Sequence, residues 1–360
     1  METKRIIISV TSDLSTDQRV QKTTQTLHEA GFKVLLVGRK TRKSLPFKAN
    51  YPFLQFRLLF NSSFLFYAEY NIRLFFLLLF TKADIFLSND LDTLLANTIA
   101  GKIRKKKIVY DTHELFTEVP ELIGRNFVKR IWTFIEKHCI QKADTCYTVC
   151  QSIADYYNKK YNTKMKVVRN VPLCTLQDNV VSKLSFPGKK IILYQGALNI
   201  GRGIEWIINA MPFINNAVLI IIGDGDISND LKLQVEKQNL QKRIFFLGRI
   251  SSKELPTYTI AADLGVCLLN NNSLSYYYSL PNRIFDFMYA KVPILASDFP
   301  EIRNIIENYN LGKIISNYQP IFLAETINNM LNKKTSEQYF DKAIQEFNWE
   351  NEKRVLLSLF

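Results

Sequence analysis

Two short stretches in the second half of this 360-residue chain set glycine, arginine and aspartate where a strand gives way to a helix. In Tyr194–Glu205 (YQGALNIGRGIE), glycines stand at 196, 201 and 203, with Arg202 between the last two. Glycine lets the main chain approach a ligand closely, a helix start offers unpaired N–H groups to an anion, and a guanidinium grips phosphate through two parallel hydrogen bonds. In Ser279–Asp286 (SLPNRIFD), Asn282 and Arg283 open a helix and Asp286 follows one turn later. Phosphate would settle at that helix start beside Arg283, and Asp286 would accept hydrogen bonds from sugar hydroxyls such as those of a ribose. Either stretch alone is a weak signal; together they describe a site that would take phosphate and sugar hydroxyls side by side. His113, in YDTHELF, is one of three histidines, the others being His28 and His138, and a lone histidine is commonly a hydrogen-bonded structural residue. Asp90-Leu-Asp92 and Asp224-Gly-Asp226 both spell DxD, a pattern that holds metal-bound diphosphates. Each follows a strand and precedes a helix or turn, where aspartate serves as a cap, so both are read as structural and no metal site is expected.

The elements that must position these residues follow from periodicity. β-rich runs alternate with helix-patterned stretches: RIIISV then Val20–Ala30, KVLLVG then a long apolar segment, DIFLSN then Asp92–Ala100, and KIVYD then Val128–Gln141. Residues 171–188 carry two prolines and no clean period, and read as a linker. From KIILYQG the alternation resumes through helices Ile204–Met211, Leu231–Lys237, Leu255–Ala262 and Arg283–Ala290, separated by strands AVLIIIG, RIFFLG, LGVCLL and PILAS. That rhythm predicts an α/β protein of two Rossmann-like parallel-sheet domains facing a cleft, at 1–170 and 189–336. Ile204, Ile207, Ile208 and Met211 form one apolar stripe at i, i+3, i+4 and i+7. Ser279 is the expected N-cap of the later helix, with Pro281 in its first turn.

Charge is unevenly placed. There are 47 Lys+Arg against 33 Asp+Glu, a net +14, and residues 1–180 hold 28 of the bases and 16 of the acids. A one-sided positive field draws phosphate-rich partners: nucleic acid, anionic lipid head groups or a diphosphate substrate. The run Lys102–Lys107 (KIRKKK) lacks interleaved aromatics, so nucleic acid is not expected and a solvated helix end facing a membrane surface is. Hydrophobic residues at 47% exclude disorder, and the five cysteines (139, 146, 150, 174 and 267) form neither a disulfide framework nor a zinc motif. METKRIIISV enters a strand-like run with no secretory signal, so a cytoplasmic location is expected. Phe64–Phe80 (FLFYAEYNIRLFFLLLF) contains Glu69 and Arg73, and its uninterrupted apolar part is short against the ~20 residues of a span. A buried helix is the preferred reading, an interfacial helix the alternative. With Arg57, Arg73, Lys82 and KIRKKK nearby, an anionic membrane surface on the inner face remains an expected partner.

The motifs together resemble the retaining GT-B glycosyltransferases of group 1, or family 4. YQGALNIGRGIEWI resembles the family's G-x-x-x-x-x-[KR]-G-[IL]-E segment, VLIIIGDGD its strand and GxG loop, FFLGRISSKELPTYTIAADLGV its stretch ending in A-D, and LPNRIFDFMYAKVPILASDFPEI its N-K-h-F-E-Y-M signature. In the first half, TSDLSTDQRVQKTTQTLHEAGFKVLLV is similar to the family's opening loop and helix.

The resemblance implies a donor site mainly in the second domain and an acceptor site mainly in the first. It places Arg202 and Arg283 on the diphosphate, Gly196 and Gly203 close to it, Asn282 at the helix start, Asp286 on the ribose, and Arg249 and Ile250 near the base. His113 falls where many members present a histidine to the transferred sugar, so His113, Arg202 and Asp286 are the implied catalytic residues. The co-substrate implied is a UDP- or GDP-linked sugar, the acceptor a glycan or lipid-linked molecule, with no cofactor and no metal. The C-terminal helix 337–360 is expected to pack back onto the first domain. The chain departs from the pattern at Tyr278, where a first glutamate is usual, at Ala197, where an arginine is, and at Lys291, where a glycine is. Tyr278 and Ala197 leave open a catalytically silent sugar-nucleotide or membrane-binding subunit, and a sugar-nucleotide 2-epimerase is the alternative within the same fold.

Overall fold

A computed structural model describes residues 3–42, 44–173, 182–333 and 335–360. The chain divides into two compact units, Met1–Asn170 with Glu352–Phe360, and Val171–Asn351.

The first unit runs β1 (Arg5–Asp13), α1 (Gln18–Glu29), β2 (Lys33–Arg39), β3 (Phe53–Phe56), α2 (Ser63–Phe80), β4 (Ile85–Asn89), α3 (Leu91–Arg104), β5 (Lys107–Thr112), α4 (Asn126–Ile140), β6 (Thr145–Thr148), α5 (Gln151–Tyr161) and β7 (Lys166–Val167). Its seven strands lie in the order β3-β2-β1-β4-β5-β6-β7, every neighbouring pair parallel. Ile6, Ile7 and Ile8 are all buried, as are Ile85, Phe86 and Leu87, because helices cover both faces of the sheet and consecutive side chains both meet apolar neighbours. The strand order reverses between β1 and β4, and the crevice beyond the strand carboxyl ends at such a reversal is where ligands bind in this architecture. β3 and β7 are short edge strands with no clear alternating signal.

α2 corrects the expectation of a buried helix. By length and composition it is apolar enough to cross a membrane, with a mean hydropathy of 1.4, yet only 22% of it is buried. Phe66, Tyr70, Leu74 and Leu78, four residues apart, face the sheet, and Tyr70 donates a 2.6 Å hydrogen bond to the Val10 carbonyl. On the opposite side Phe64, Ala68, Ile72, Phe76 and Phe80 are exposed, while Phe75, Leu77 and Leu79 are partly covered by the core.

The second unit runs β8 (Lys190–Gln195), α6 (Ile204–Ala210), β9 (Ala217–Ile222), α7 (Ser228–Lys237), β10 (Ile244–Gly248), α8 (Leu255–Thr259), β11 (Leu264–Cys267), α9 (Leu274–Tyr277), α10 (Asn282–Tyr289), β12 (Ile294–Ser297), α11 (Pro300–Asn308), β13 (Gly312–Ile315), α12 (Pro320–Leu331) and α13 (Glu337–Glu346), then α14 (Trp349–Leu357), which passes into the first unit. The parallel sheet has the order β10-β9-β8-β11-β12-β13, reversing between β8 and β11. The stripe Ile204, Ile207, Ile208 and Met211 is fully buried in its core.

Two details differ from the sequence reading. Ser279 does not cap α10: its hydroxyl donates to the Tyr276 carbonyl at 2.8 Å, and Pro281 occupies the N-cap without a side-chain hydrogen bond. The C-terminal segment is split. α13 stays with the second unit, tied by Lys291 to Glu337 and Asp341 at 2.9 and 2.8 Å, and only Glu352–Phe360 joins the first. There Glu352 accepts hydrogen bonds from the Arg169 backbone and guanidinium at 2.8 and 3.1 Å. The linker expected at 171–188 includes residues 174–181, Cys174 among them, that lie outside the described residues.

Candidate active site

At the carboxyl edge of the second sheet, β8 ends in Gln195 and the chain turns through Gly196 at φ 135°. β9 ends beside it in Ile222, and Gly223 follows at φ 137°, where a Cβ would collide with the Gly196 carbonyl oxygen. Glycine in both loops lets them pack this closely, and the packing leaves a pocket of about 310 Å³. Gln195, Gly196, Ala197, Arg202, Asn282, Arg283 and Asp286 line it, with Leu255, Leu280 and Pro281. Five of the nine residues anticipated for the site thus meet in one place in this unit: Gly196, Arg202, Asn282, Arg283 and Asp286.

The two arginines are held by aromatic faces. The Arg283 guanidinium lies 4.6 Å from the Tyr194 ring centroid and that of Arg202 lies 4.7 Å from the Tyr276 ring. Arg283 is buried, and its Nη1, like the Nε of Arg202, has no hydrogen-bond partner among the described residues. Burial alone would weaken the charge on Arg283, yet the surrounding Tyr194 and Cys267 leave it more basic than usual. A buried, unpartnered guanidinium nitrogen is costly and calls for an acceptor, and an anion entering the pocket would supply one. Asp286 is half-buried, and its Oδ2 accepts a 2.8 Å hydrogen bond from the Gln195 amide, whose carbonyl accepts one of 2.9 Å from the Thr259 hydroxyl. This chain orients the carboxylate toward the pocket. Gln195, Thr259, Tyr194 and Tyr276 were missed in the sequence, where Gln195 had adjacency to Gly196 as a signal and Thr259 had none.

The other residues expected in this unit do not line this pocket. Gly203 is the left-handed N-cap of α6, and a Cβ there would press to 2.7 Å from Leu268 and 2.9 Å from Trp206, so its need for glycine comes from core packing. Arg249 is 77% exposed and lies 3.5 Å from Asp224; neither it nor Ile250 lines the pocket. Asp224 accepts from the Ser228 hydroxyl and the Gly225 N–H, both at 2.9 Å, bonds that hold its carboxyl below the usual range and make it a turn-former. Lys291 sits at φ 54°, which explains why glycine suits that position.

In the first unit, Asp90 and His113 stand at the carboxyl ends of β4 and β5. His113 Nδ1 lies 3.1 Å from Asp90 and its Nε2 lies 3.1 Å from Asp111, while its backbone N–H donates to Asp90 at 2.8 Å. Asp111 is fully buried and also receives a two-pronged contact from Arg19 at 2.7 and 3.0 Å. Burial opposes charge on both groups. The carboxylates nonetheless raise the His113 pKa well above its ordinary value, and Arg19 with His113 holds Asp111 down at about 2. Both ring nitrogens are thus donors to carboxylates, which makes His113 a fixed imidazolium. Asp92, next door, accepts from the Thr11 hydroxyl, and burial together with Asp90 pushes its carboxyl up to about 7. Among the described residues, no group of three or more His, Cys, Asp or Glu is arranged to hold a metal ion.

Comparison with known proteins agrees with this geometry. The family described as glycosyltransferase family 4 matches residues 18–171, and glycosyl transferases group 1 matches residues 177–347. Spore coat protein SA of Bacillus subtilis is 26% identical over 200 residues, covering 51% of this chain and 52% of that protein. Chitobiosyldiphosphodolichol beta-mannosyltransferase of Candida albicans is 24% identical over 236 residues, 59% of this chain and 51% of that one. The chain spans about half the length of these curated relatives. The crystal structure of Anabaena HepE in complex with UDP and glucose superposes with a TM-score of 0.74 at 14% identity, over 99% of this chain and 98% of that one, a likeness that shows the fold. Two parallel sheets each reversing at a glycine- or aspartate-bearing edge, and two family matches that between them run from residue 18 to residue 347, lead to one conclusion: the chain belongs to the group 1, family 4 glycosyltransferases and has their GT-B fold.

Proposed function

We propose that this protein is a retaining, metal-independent glycosyltransferase that moves a hexose or N-acetylhexosamine from a UDP- or GDP-linked donor to a polysaccharide or lipid-linked acceptor. Its setting is cell-surface glycan synthesis at the cytoplasmic face of the membrane. The observation that carries the reading is the pair Arg202 and Arg283, each with a buried guanidinium nitrogen lacking a partner among the described residues, in one pocket with Asp286. Negative charge grows on the departing diphosphate as the glycosidic bond breaks, and preset cations there stabilise the transition state more than the bound donor. Asp286, aimed by Gln195, would bind the ribose hydroxyls. The complex of the similarly folded HepE with UDP and glucose supports a nucleotide-sugar ligand.

Calorimetric titration with UDP, GDP, dTDP and CMP compounds tests the reading. One diphosphate should bind saturably, and Arg202→Ala or Arg283→Ala should weaken it by about 10- to 100-fold, the worth of a charge-assisted hydrogen bond. No binding to any of the four would sink it. Product NMR reports the anomeric outcome, and unchanged turnover in excess chelator is the expected result for metal independence. Ala197 in the pocket, where an arginine is usual, favours one second reading, the silent subunit; it would show nucleotide binding with no acceptor-dependent product. Donor interconversion without acceptor would instead mark an epimerase.

A further inference from the structure

We propose that the first unit docks on an anionic bilayer through the outward faces of α2, α3 and α4, which brings the carboxyl edge of its sheet against the surface that holds a lipid-linked acceptor. The acceptor part rests on the glycosyl-transfer reading; the docking part does not. Along α2, Phe64, Ala68, Ile72, Phe76 and Phe80 recur every fourth residue on the side opposite the buried stripe, and Phe64 and Phe80 are 75% and 81% exposed. On α4, Phe127, Ile131 and Phe134 form a second stripe at i, i+4 and i+7, with Phe127 75% exposed, and Ile99 and Ile103 add to it from α3. α3 packs against both of its neighbours, and α2 meets α4 directly where the Tyr67 and Trp132 rings touch edge-on at 5.0 Å. Three adjacent helices of one layer thus carry apolar side chains outward, whereas solvent-facing helices normally carry them only inward.

The charges around these stripes select the occupant. Exposed Arg57, Lys82, Lys102, Lys105, Arg130 and Lys137 flank them. Glu69 is taken up by Arg73 and by the Leu59 and Phe60 N–H groups, and Asp84 by Lys106. A second copy of the chain would set this basic face against itself, and like charges oppose that contact. An anionic bilayer satisfies both features: aromatic and aliphatic side chains enter the head-group boundary while lysine and arginine stay with the phosphates. In parallel sheets the helices begin at the strand carboxyl edge. The starts of α2 and α4, with exposed Leu59, Phe60 and Ile123 near them, therefore lie on the same edge as Asp90 and His113.

The test is co-sedimentation of the full chain with vesicles of phosphatidylcholine alone or mixed with phosphatidylglycerol. Binding is expected only to the anionic vesicles and should weaken with salt. Phe64→Ser with Phe76→Ser, and separately Phe127→Ser with Phe134→Ser, should each weaken it by about tenfold or more, and Lys102→Glu with Lys105→Glu should weaken it chiefly at low salt. Nucleotide titration and thermal melting of the same variants, unchanged from the parent, show that they fold. The proposal is overturned if the parent ignores anionic vesicles, if the phenylalanine variants bind as well as the parent, or if sedimentation velocity finds a dimer that those substitutions dissociate. Vesicle binding without nucleotide binding would sink the transferase reading and leave docking standing; the converse would do the reverse.

Discussion

His113 has no free ring nitrogen, because Asp90 and Asp111 take one each, and its ring is held between one buried carboxylate, Asp111, and one partly exposed, Asp90. The pH window follows from the shifts. A histidine raised on folding stabilises fully below its unfolded pKa near 6.5 and loses that contribution as pH rises through the elevated folded value. Asp111, held at about 2, contributes above about 4 and loses it as pH falls toward 2, so the triad is complete from mildly acidic pH through neutrality. Asp90 itself adopts φ 56° and ψ 171°, a region easy only for glycine, at a cost of about 1–3 kcal/mol. Asp90→Gly should therefore keep stability near the parent's while lowering the His113 pKa, read by nitrogen NMR of the ring; an unmoved pKa would show that Asp90 does not hold the charge. Asp92 has the opposite sign. Raised to about 7, it is comfortable when protonated, and the penalty for ionising it sets in as pH climbs from about 4 to 7. Asp92→Asn should gain on the parent by about 1–3 kcal/mol in urea unfolding between pH 5 and pH 8, and a difference that stays flat with pH would refute the assignment.

At the scale of elements, the pocket beside Arg202 and Arg283 depends on two loops that approach closer than any side chain allows. Gly223→Ala would thrust a methyl group into the Gly196 carbonyl from a backbone at φ 137°, and is expected to cost at least about 3 kcal/mol and abolish nucleotide binding. Gly188→Ala makes the control. It shares a positive φ, 72°, but meets nothing within 4 Å, so a cost of about 1 kcal/mol and normal binding are expected. Equal losses in urea melts would show that the backbone angle, not the loop contact, decides. The helices show the same dependence on context: α2 and α4 are amphipathic with respect to the sheet, yet their outer sides are apolar too, which argues for a second non-aqueous surface.

For the whole molecule, the division into units is not the division of the chain. Glu352, 3% exposed, is one tether of the last residues to the first unit, by way of Arg169, beside the hydrogen bonds that Lys4 and Lys107 donate to the Phe360 and Leu359 carbonyls. Glu352→Ala removes a buried side chain and both of its hydrogen bonds from Arg169, so it should destabilise by about 2–4 kcal/mol. In calorimetry the loss should fall on the transition that nucleotide does not protect. A shift of the nucleotide-protected transition instead would mean that the C-terminal residues support the second unit.

Alternation of strand and helix, the two glycine- and arginine-bearing stretches and the family pattern were legible in the sequence, because each depends on residues within a turn or two of one another. Gly196, Arg202, Asn282, Arg283 and Asp286 were found in this way and meet in one pocket. Their support was not legible: Gln195 is bonded to Thr259 across 64 residues and to Asp286 across 91, and Arg19 reaches Asp111 across 92. Nor could spacing tell that Gly203 serves Leu268 and Trp206, that Arg249 lies outside the pocket, or that α2 buries one stripe in preference to all of its surface. An apolar run records only that water is unfavourable. Which side chains are covered depends on how many neighbouring elements the sheet order brings alongside, and that is settled by tertiary packing.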